Sequence, residues 1–442
     1  MNTVANTEYP LGGVKSGKAS ATMVETSVSF DTARDRHLFG SGPKRLLALD
    51  GGGVRGAITV AFLERIEKLL SQEQKKPVRL GDHFDFIGGT STGAIIAGAL
   101  ALGYRTDQVK DFYIRLAPHV FKREFWRIPI LQARFDARGL RREIEAIVVD
   151  RTLASPDLIT GLGIVTKRMD TVSPWIITNN PRAPYWENGP DFIGNKHYKL
   201  ATLVRASTAA PNFFEPELLS ISEHKAALPK SIEAPFGQPA ALRFLHALLE
   251  RCGLRRRATI DPNEFGLFVD GGVSPHNNPS LAFFHMVVLK PFHINWPMGP
   301  ENLTIVSIGT GMHRPRLKLE TLGLARTPKL AFYALMSLMN DSEMAVLTQM
   351  QWLGECPAPW PINSEIGTLA DDAPPGGKLF RFLRYDLRLE QDWLKSELDI
   401  NVSATDVTRF RLMDDPGIVN DIFEIGRIAA DHYVKLEDWR TS

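Results

Sequence analysis

Short apolar runs alternate along the chain with longer segments in which apolar residues recur at helical spacing. Six apolar runs have the length and residue types of buried strands, and they lie at residues 45–49, 84–87, 175–178, 266–269, 303–308 and 379–387. Helical spacing occurs between and after these runs, at residues 57–70, 94–102, 107–116, 139–149, 279–289, 328–354 and 416–436. Strands that alternate with helices predict an α/β fold with a mostly parallel central sheet.

Departures from this alternation divide the chain into parts. Residues 1–40 are polar and rich in Ser, Thr and Gly, so we expect a flexible N-terminal arm before a core domain over residues 41–320. Residues 218–264 carry several prolines and a basic helical stretch, which predicts an insertion in that domain. We expect residues 321–442 to form a mostly helical C-terminal extension that packs on the core.

Composition and charge narrow the functional classes. A chain of 442 residues with 44% apolar and 23% charged residues is typical of a globular protein with a sizeable core. The net charge of +2 provides no general attraction to nucleic acid, so we predict no nucleic-acid partner. Sparse cysteines, no apolar stretch that could span a bilayer and no leader pattern favour a cytoplasmic protein with peripheral membrane contact. The histidines lack metal-binding spacing, and we predict neither a metal nor a cofactor.

A nucleophile elbow is the strongest sign of chemistry in the chain. Residues 89–93 read G-T-S-T-G, which matches the G-x-S-x-G pattern, and they lie between a predicted strand and a predicted helix. Gly89 and Gly93 leave room for a sharp turn that exposes the hydroxyl of Ser91 at the start of the helix. The pattern also occurs by chance in Gly-rich and Ser-rich loops, but this strand-turn-helix context predicts that Ser91 is a nucleophile for acyl transfer.

A glycine-rich segment offers a site for the negative charge that such a reaction develops. Residues 50–56 read D-G-G-G-V-R-G and also lie between a predicted strand and a predicted helix. Backbone N–H groups of Gly51, Gly52 and Gly53 would be unobstructed near a helix N-terminus, which suits an oxyanion hole. Arg55 could support this loop by binding carbonyl groups or could contact an anionic headgroup. By itself the turn would also suit a nucleotide phosphate, but it lacks the Lys-Ser/Thr pair of a P-loop.

Asp270 is the candidate base for Ser91. It ends a predicted strand and is followed by Gly271 and Gly272. In open α/β sheets the carboxyl ends of the strands form the edge where sites are found, so Asp270 could accept the hydroxyl proton directly. Asp-Gly-Gly alone is most often a turn. His276 leaves a Ser-His-Asp triad as an alternative hypothesis, although it lies only six residues after Asp270.

Taken in order, these segments resemble the patatin-like phospholipase family. The resemblance extends over residues 44–311 and includes two further blocks, R-A-S-T-A-A-P at 205–211 and V-S-I-G-T-G at 306–311. It implies a three-layer α/β/α core, with the additional C-terminal helical elements beside it. It also implies a calcium-independent lipid acyl hydrolase that uses a dyad of Ser91 and Asp270 without histidine.

The resemblance also sets the expected partners and the alternatives. It implies a phospholipid or another acyl-ester lipid as substrate. Some bacterial members of the family are antiviral effectors that cyclic nucleotides switch on, so a ligand-gated phospholipase with a small-molecule activator is one alternative. A Ser-His-Asp esterase that uses His276 is another, because the order Ser, Asp, His along the chain fits an ordinary α/β-hydrolase, and a non-catalytic lipid-binding module is a third. Residues 121–131 and 242–257 mix apolar and basic residues and are candidates for membrane contact or for ordinary packed helices.

Overall fold

The structure is a computed structural model, and it describes residues 31–121, 135–222, 263–314 and 327–439. Most of the predicted arm and most of the predicted insertion lie outside these residues, as do the two candidate membrane segments apart from Phe121. Part of the predicted arm is described. It forms helix α1 (Ala33–Phe39), whose Leu38 is fully buried against the sheet.

The described residues form one nine-stranded sheet. Its strands are β1 (Lys44–Leu49), β2 (Phe86–Thr90), β3 (Gly161–Arg168), β4 (Ser173–Thr178), β5 (Glu217–Ser220), β6 (Phe265–Asp270), β7 (Leu303–Ile308), β8 (Gly354–Glu355) and β9 (Phe380–Tyr385). Neighbours follow the order β5-β6-β3-β2-β1-β7-β9-β8, and β4 pairs with β3 off this path. Pairing is parallel from β3 to β8 along this order, whereas β4, β5 and β6 pair antiparallel. The sheet is therefore mostly parallel, as predicted.

Helices cover both faces of this sheet. They are α2 (Gly56–Glu73), α3 (Leu80–His83), α4 (Thr92–Ala101), α5 (Thr106–Val120), α6 (Ala137–Val148), α7 (Leu200–Ser207), α8 (Ser280–Val288), α9 (Thr327–Leu353), α10 (Gln391–Leu398), α11 (Ala404–Phe410) and α12 (Val419–Tyr433). Alternate side chains of β1 enter different cores. Leu47 and Leu49 pack with residues of α2, α4 and α12, whereas Leu46 and Ala48 pack with residues of α8 and α9. Two cores on opposite faces of one sheet confirm the three-layer α/β architecture.

The C-terminal region takes part in the sheet. Residues 321–442, expected to be mostly helical, supply α9 to α12 and also the strands β8 and β9. β9 lies parallel to β7, with Ile308 opposite Tyr385 at the carboxyl end of the pair. Within the described ranges, no helix combines the length and apolar character needed to cross a bilayer.

Candidate active site

Two strands that meet end to end along β3 build the centre of the site. β2 pairs with β3 as far as Thr90 opposite Val165, and β6 pairs with the next stretch of β3, where Asp270 lies opposite Thr166. β4 pairs with β3 over both stretches, so β2 and β6 must share the other side of β3. Because β6 runs antiparallel to β3, it arrives from beyond the carboxyl edge and ends where β2 ends. Asp270 thus reaches the expected edge from the direction opposite to that of the parallel strands.

Ser91 lies in the turn between β2 and α4. Its φ of 55° and ψ of −123° are outside the regions that L-residues favour, as in the strained turn of a nucleophile elbow. Its backbone N–H donates to Oγ of Ser207 over 2.9 Å, and that hydroxyl donates to the carbonyl of Val165 over 2.6 Å. A Cβ on Gly89 would overlap the backbone of Gly93, so the strand and helix can approach this closely only at glycine.

The side chains of Ser91 and Asp270 are in direct contact. The Ser91 hydroxyl donates to Oδ2 of Asp270 over 2.6 Å, and the N–H of Gly272, in the turn that begins at Gly271, donates to Oδ1 over 2.7 Å. Burial raises the pKa of Asp270 to about 6, although the hydrogen bonds from Ser91 and Gly272 and the charge of Arg205 act in the opposite direction. A carboxylate of this pKa is a better proton acceptor near neutral pH than an ordinary aspartate.

The glycine-rich loop lies beside this pair, since β1 is the neighbour of β2. A Cβ on Gly51 would come within 3.1 Å of the Cβ of Ser91. The N–H of Gly51 donates to the carbonyl of Asn277 over 3.2 Å, whereas the N–H groups of Gly52 and Gly53 have no acceptor in the described part of the chain. Gly53 has a φ of +60°, a conformation that favours glycine. Gly52 and Gly53 are therefore the donors that remain for an oxyanion.

Arg55 lies in the first turns after this loop and is almost fully buried. Its Nη1 donates to the carbonyl of Gly311 over 3.0 Å, which ties the loop after β1 to the loop after β7. Arg55 was expected either to support the loop or to contact an anionic headgroup, and this contact favours the first role. The side chain also lines the cavity next to Ser91, so its charge acts within the site.

A buried ion network that no sequence pattern indicates holds the start of the same loop. Arg384 of β9 donates to Asp50 and to Asp386 over 2.7 Å each, and it lies 3.4 Å from Glu343 of α9. Burial raises the pKa of Asp50 to about 8, although the charge of Arg384 opposes this shift. The three carboxylates lie close enough together to suit a cation, and the guanidinium of Arg384 takes that place. Asp50, Glu343 and Arg384 are distant in sequence, so only the fold brings them together.

The serine and aspartate lie on the wall of a cavity of about 460 Å³. Most of its surface is apolar, and the loops at residues 210–214 and 411–414 contribute to its lining. The apolar lining includes Ile95, Leu116, Val120, Phe121, Phe214 and Met339. A space of this size and character suits a hydrocarbon chain whose ester group would lie beside Ser91.

His276 takes no place between Ser91 and Asp270. Its backbone carbonyl accepts the hydroxyl of Thr90 over 2.6 Å, and its Nδ1 is buried without a partner in the described chain. Burial lowers the pKa of His276. Because the Ser91 hydroxyl already donates to Asp270, the geometry favours the dyad over the Ser-His-Asp alternative.

Comparison with known proteins covers the part of the chain that contains this site. The family model described as patatin-like phospholipase matches residues 47–284, more than half of the chain. A cUMP-AMP-activated phospholipase of Escherichia coli is 34% identical over 40% of this chain and 50% of its own length. A cGAMP-activated phospholipase of Vibrio cholerae is 29% identical over 39% of this chain and 49% of its own length.

A plant protein extends the match. Patatin-like protein 2 of Arabidopsis thaliana is 25% identical over 63% of each chain. The chain thus spans about half the length of the two bacterial relatives and rather more of the plant protein. All of the elements that bring Ser91 to Asp270 lie within the matched residues, and on this evidence the chain belongs to the patatin-like phospholipase family.

Proposed function

We propose that this protein is a lipid acyl hydrolase of the phospholipase A type, which cleaves fatty-acyl esters through Ser91 and Asp270. One observation carries the proposal: the Ser91 hydroxyl donates directly to a buried carboxylate at the wall of an apolar cavity. A serine hydroxyl is a weak nucleophile unless a base within hydrogen-bond reach takes its proton. At 2.6 Å, Asp270 is within that reach without a histidine between them.

The first half-reaction forms an acyl-enzyme. Asp270 takes the hydroxyl proton while Ser91 Oγ attacks the ester carbonyl, and the carbonyl oxygen becomes an oxyanion. The N–H groups of Gly52 and Gly53 stabilise this charge, and an oxyanion donor of this kind is typically worth about 3 kcal/mol. The intermediate collapses, the alcohol leaves with the proton from Asp270, and the acyl group remains on Ser91.

The second half-reaction releases the fatty acid. Asp270 takes a proton from water, and the hydroxide adds to the acyl carbonyl at the same oxyanion site. The bond to Ser91 then breaks, and Oγ recovers the proton from Asp270. The carboxylate thus acts as base and acid in alternation, which its raised pKa favours near neutral pH.

The substrate is proposed to be a membrane phospholipid, reached by peripheral contact. Family membership supports a lipid ester, and the apolar lining supports a long acyl chain. Leu412 supports contact with a bilayer, because it lines the cavity and is nevertheless 42% exposed. An exposed apolar side chain at the mouth of a lipid site gains free energy on entering the bilayer.

Fatty-acid release from phospholipid liposomes in EDTA tests the proposal. We expect release by the wild type and none by Ser91→Ala or Asp270→Asn, with unchanged circular dichroism. A fluorophosphonate probe should attach to Ser91 and not to Ser207, the neighbouring serine whose hydroxyl lies 2.9 Å from the Ser91 amide. Release that survives in folded Ser91→Ala, or an adduct on Ser207, would contradict the assignment.

A ligand-gated enzyme is the second candidate function. Two relatives are named as cUMP-AMP-activated and cGAMP-activated phospholipases, which supports a small-molecule activator for this chain. The same liposome assay distinguishes the two candidates when each cyclic dinucleotide is added to the wild type. Activity that needs the dinucleotide supports gating, and full activity without it supports a constitutive hydrolase.

A further inference from the structure

A second cavity, of about 480 Å³, lies in the C-terminal region of the chain. Its walls come from the loop at residues 358–361, the end of β9 and the residues after it, α10 and α12. All of these residues follow the segment that the family model matches. This space, which we name the aromatic cavity, is separate from the apolar cavity that contains Ser91, since the two share no lining residue.

Several aromatic residues line the aromatic cavity. Trp393 and Tyr433 are half-buried and nearly parallel, with ring centroids 6.1 Å apart. Trp360 lies 6.4 Å from Trp393 and is tilted by 53°. Stacking on such rings is a common means of holding a flat heteroaromatic group, because any base has a π-face that fits them.

Two buried donors on the lining have no acceptor. The indole N–H of Trp360 and the Nε–H of Arg384 are both shielded from solvent and unpaired within the described chain. Trp360 is 6% exposed and Arg384 is 2% exposed. A buried donor without a partner is destabilising, so a ligand that brings acceptors would recover free energy at this place.

The charges of the lining distinguish between two kinds of ligand. Three aromatic rings with the carboxylate of Glu397 could also suit a quaternary ammonium group. However, the guanidinium of Arg388 lies 5.9 Å from the centre of the Trp360 ring, and Arg384 lines the inner wall. Asp386 also lines the cavity, and together with Asp50 it pairs with Arg384. The charge of Arg388 and the two unpaired donors therefore favour a ligand with acceptor atoms and a negative group over an ammonium ion.

We propose that the aromatic cavity binds a nucleotide, with its base against Trp393 and Tyr433 and its phosphate near Arg388. The acceptor atoms of the base would face the donors of Trp360 and Arg384. The carboxylate of Glu397, which accepts the Tyr433 hydroxyl over 3.3 Å, has further lone pairs for an amino group of the base.

The same site has a direct connection to the glycine-rich loop at residues 50–56. Arg384 lines the aromatic cavity and donates to Asp50, the residue before the three loop glycines, over 2.7 Å. Asp386 also lines the cavity and accepts the N–H of Gly311, whose carbonyl holds Arg55. A bound nucleotide would therefore alter the hydrogen bonds of Arg384 and change the rate of hydrolysis. This coupling rests on the proposed function, whereas the binding itself does not.

Binding is measured on the full chain without any lipid. Probes are AMP, GMP, CMP, UMP and the cyclic dinucleotides built from them, with adenosine, guanosine, inorganic phosphate and choline as comparison ligands. The readouts are tryptophan fluorescence and titration calorimetry. We expect at least one nucleotide to bind saturably, and the matching nucleoside to bind more weakly because it cannot reach Arg388.

Matched variants place the ligand. Trp393→Leu should weaken binding by at least about fivefold, the loss expected for one base–aromatic stack. Trp352→Leu removes another half-buried tryptophan outside the cavity and should leave the dissociation constant unchanged. Arg388→Gln should weaken the nucleotide and leave the nucleoside unaffected.

Each other result overturns the proposal or its coupling. Three results would each refute the nucleotide site. The first is that no nucleotide binds saturably at millimolar concentration, and the second is that Trp393→Leu and Trp352→Leu lose the same amount of affinity. The third is saturable binding of choline or of phosphate alone. Saturable binding with no change in the hydrolysis rate of the wild type would refute the coupling and keep the site. A wild type that binds nucleotide but never hydrolyses lipid would refute the proposed function alone.

Discussion

Under the proposed mechanism, hydrolysis should decline as the pH is lowered through about 6, because Asp270 would accept the proton of Ser91 only in its deprotonated form. The magnitude follows from the pKa. With a pKa of about 6, about 99% of Asp270 is ionised at about pH 8 and about 9% at about pH 5. We therefore expect kcat/KM to decrease about tenfold between these two pH values, with one proton involved.

Protein stability responds to the same proton in the opposite direction. The pKa of Asp270 in the folded state lies above its ordinary value of 3.8, so the folded state holds the proton more tightly than the unfolded state. The contribution of this group to stability is complete below about pH 4 and is lost as the pH rises through about 6. Reduced hydrolysis at low pH would thus not come from an effect of Asp270 on unfolding.

The assay is kcat/KM for a soluble p-nitrophenyl ester across this pH range, with circular dichroism recorded at each point. Arg205 provides the perturbation, because its charge lowers the pKa of Asp270. In Arg205→Gln the midpoint should move to higher pH, whereas Arg205→Lys keeps the charge and should keep the midpoint near that of the wild type. A rate that stays constant down to about pH 4.5, or an unchanged midpoint in folded Arg205→Gln, would refute Asp270 as the titrating base.

Three further predictions concern packing, charge and the absence of histidine. Gly93→Ala should abolish hydrolysis and lower the free energy of urea unfolding by about 1–3 kcal/mol, since its Cβ would overlap the carbonyl of Leu49. Gly98→Ala, in the same helix, is the control: its Cβ would meet only atoms at 4.0 Å, and it should raise the free energy of unfolding by about 1 kcal/mol. Arg384→Met should lower the free energy of unfolding, measured in urea, by about 3–5 kcal/mol, because it leaves buried carboxylates without their cation. His276→Ala should change the hydrolysis rate by less than about tenfold, where loss of a triad histidine would cost at least about 10⁴.

The outcomes that would contradict these three predictions are distinct. An active and stable Gly93→Ala would mean that the elbow tolerates a side chain 2.4 Å from the carbonyl oxygen of Leu49. Unfolding of Arg384→Met at the same urea concentration as the wild type would mean that the ion network contributes little to the stability of the fold. Loss of hydrolysis in folded His276→Ala would revive the Ser-His-Asp esterase.

Much of this molecule is predictable from the sequence, because the signals are local. Apolar periodicity indicates most of the strands and helices, since the side chains that face a core recur every second or every third to fourth residue. The elbow at residues 89–93 is equally local. Its glycines are needed where β2 and α4 approach, and that contact spans only a few residues. Strand β3 was not predicted, because its glycines and polar end give no clear apolar run.

The geometry of the site depends on contacts between distant residues. Ser91 and Asp270 are 179 positions apart. Neither motif indicates that β6 pairs antiparallel with β3 and meets β2 end to end. That register results from pairing and side-chain packing over the whole sheet, which no local pattern contains. The choice of Gly52 and Gly53 over Gly51 as free donors likewise depends on the carbonyl of Asn277.

The sequence by itself thus determined the chemistry that is available: a serine in a strained turn, an aspartate at a strand end and a loop of glycines. Only the tertiary structure decided how these groups combine with the rest of the chain. Burial raises the pKa of Asp270, and Arg384 connects the glycine-rich loop to the aromatic cavity near the C-terminus. The physical reason is that backbone turns and periodicity are properties of neighbouring residues, whereas burial, charge pairing and strand register depend on residues that are distant in sequence.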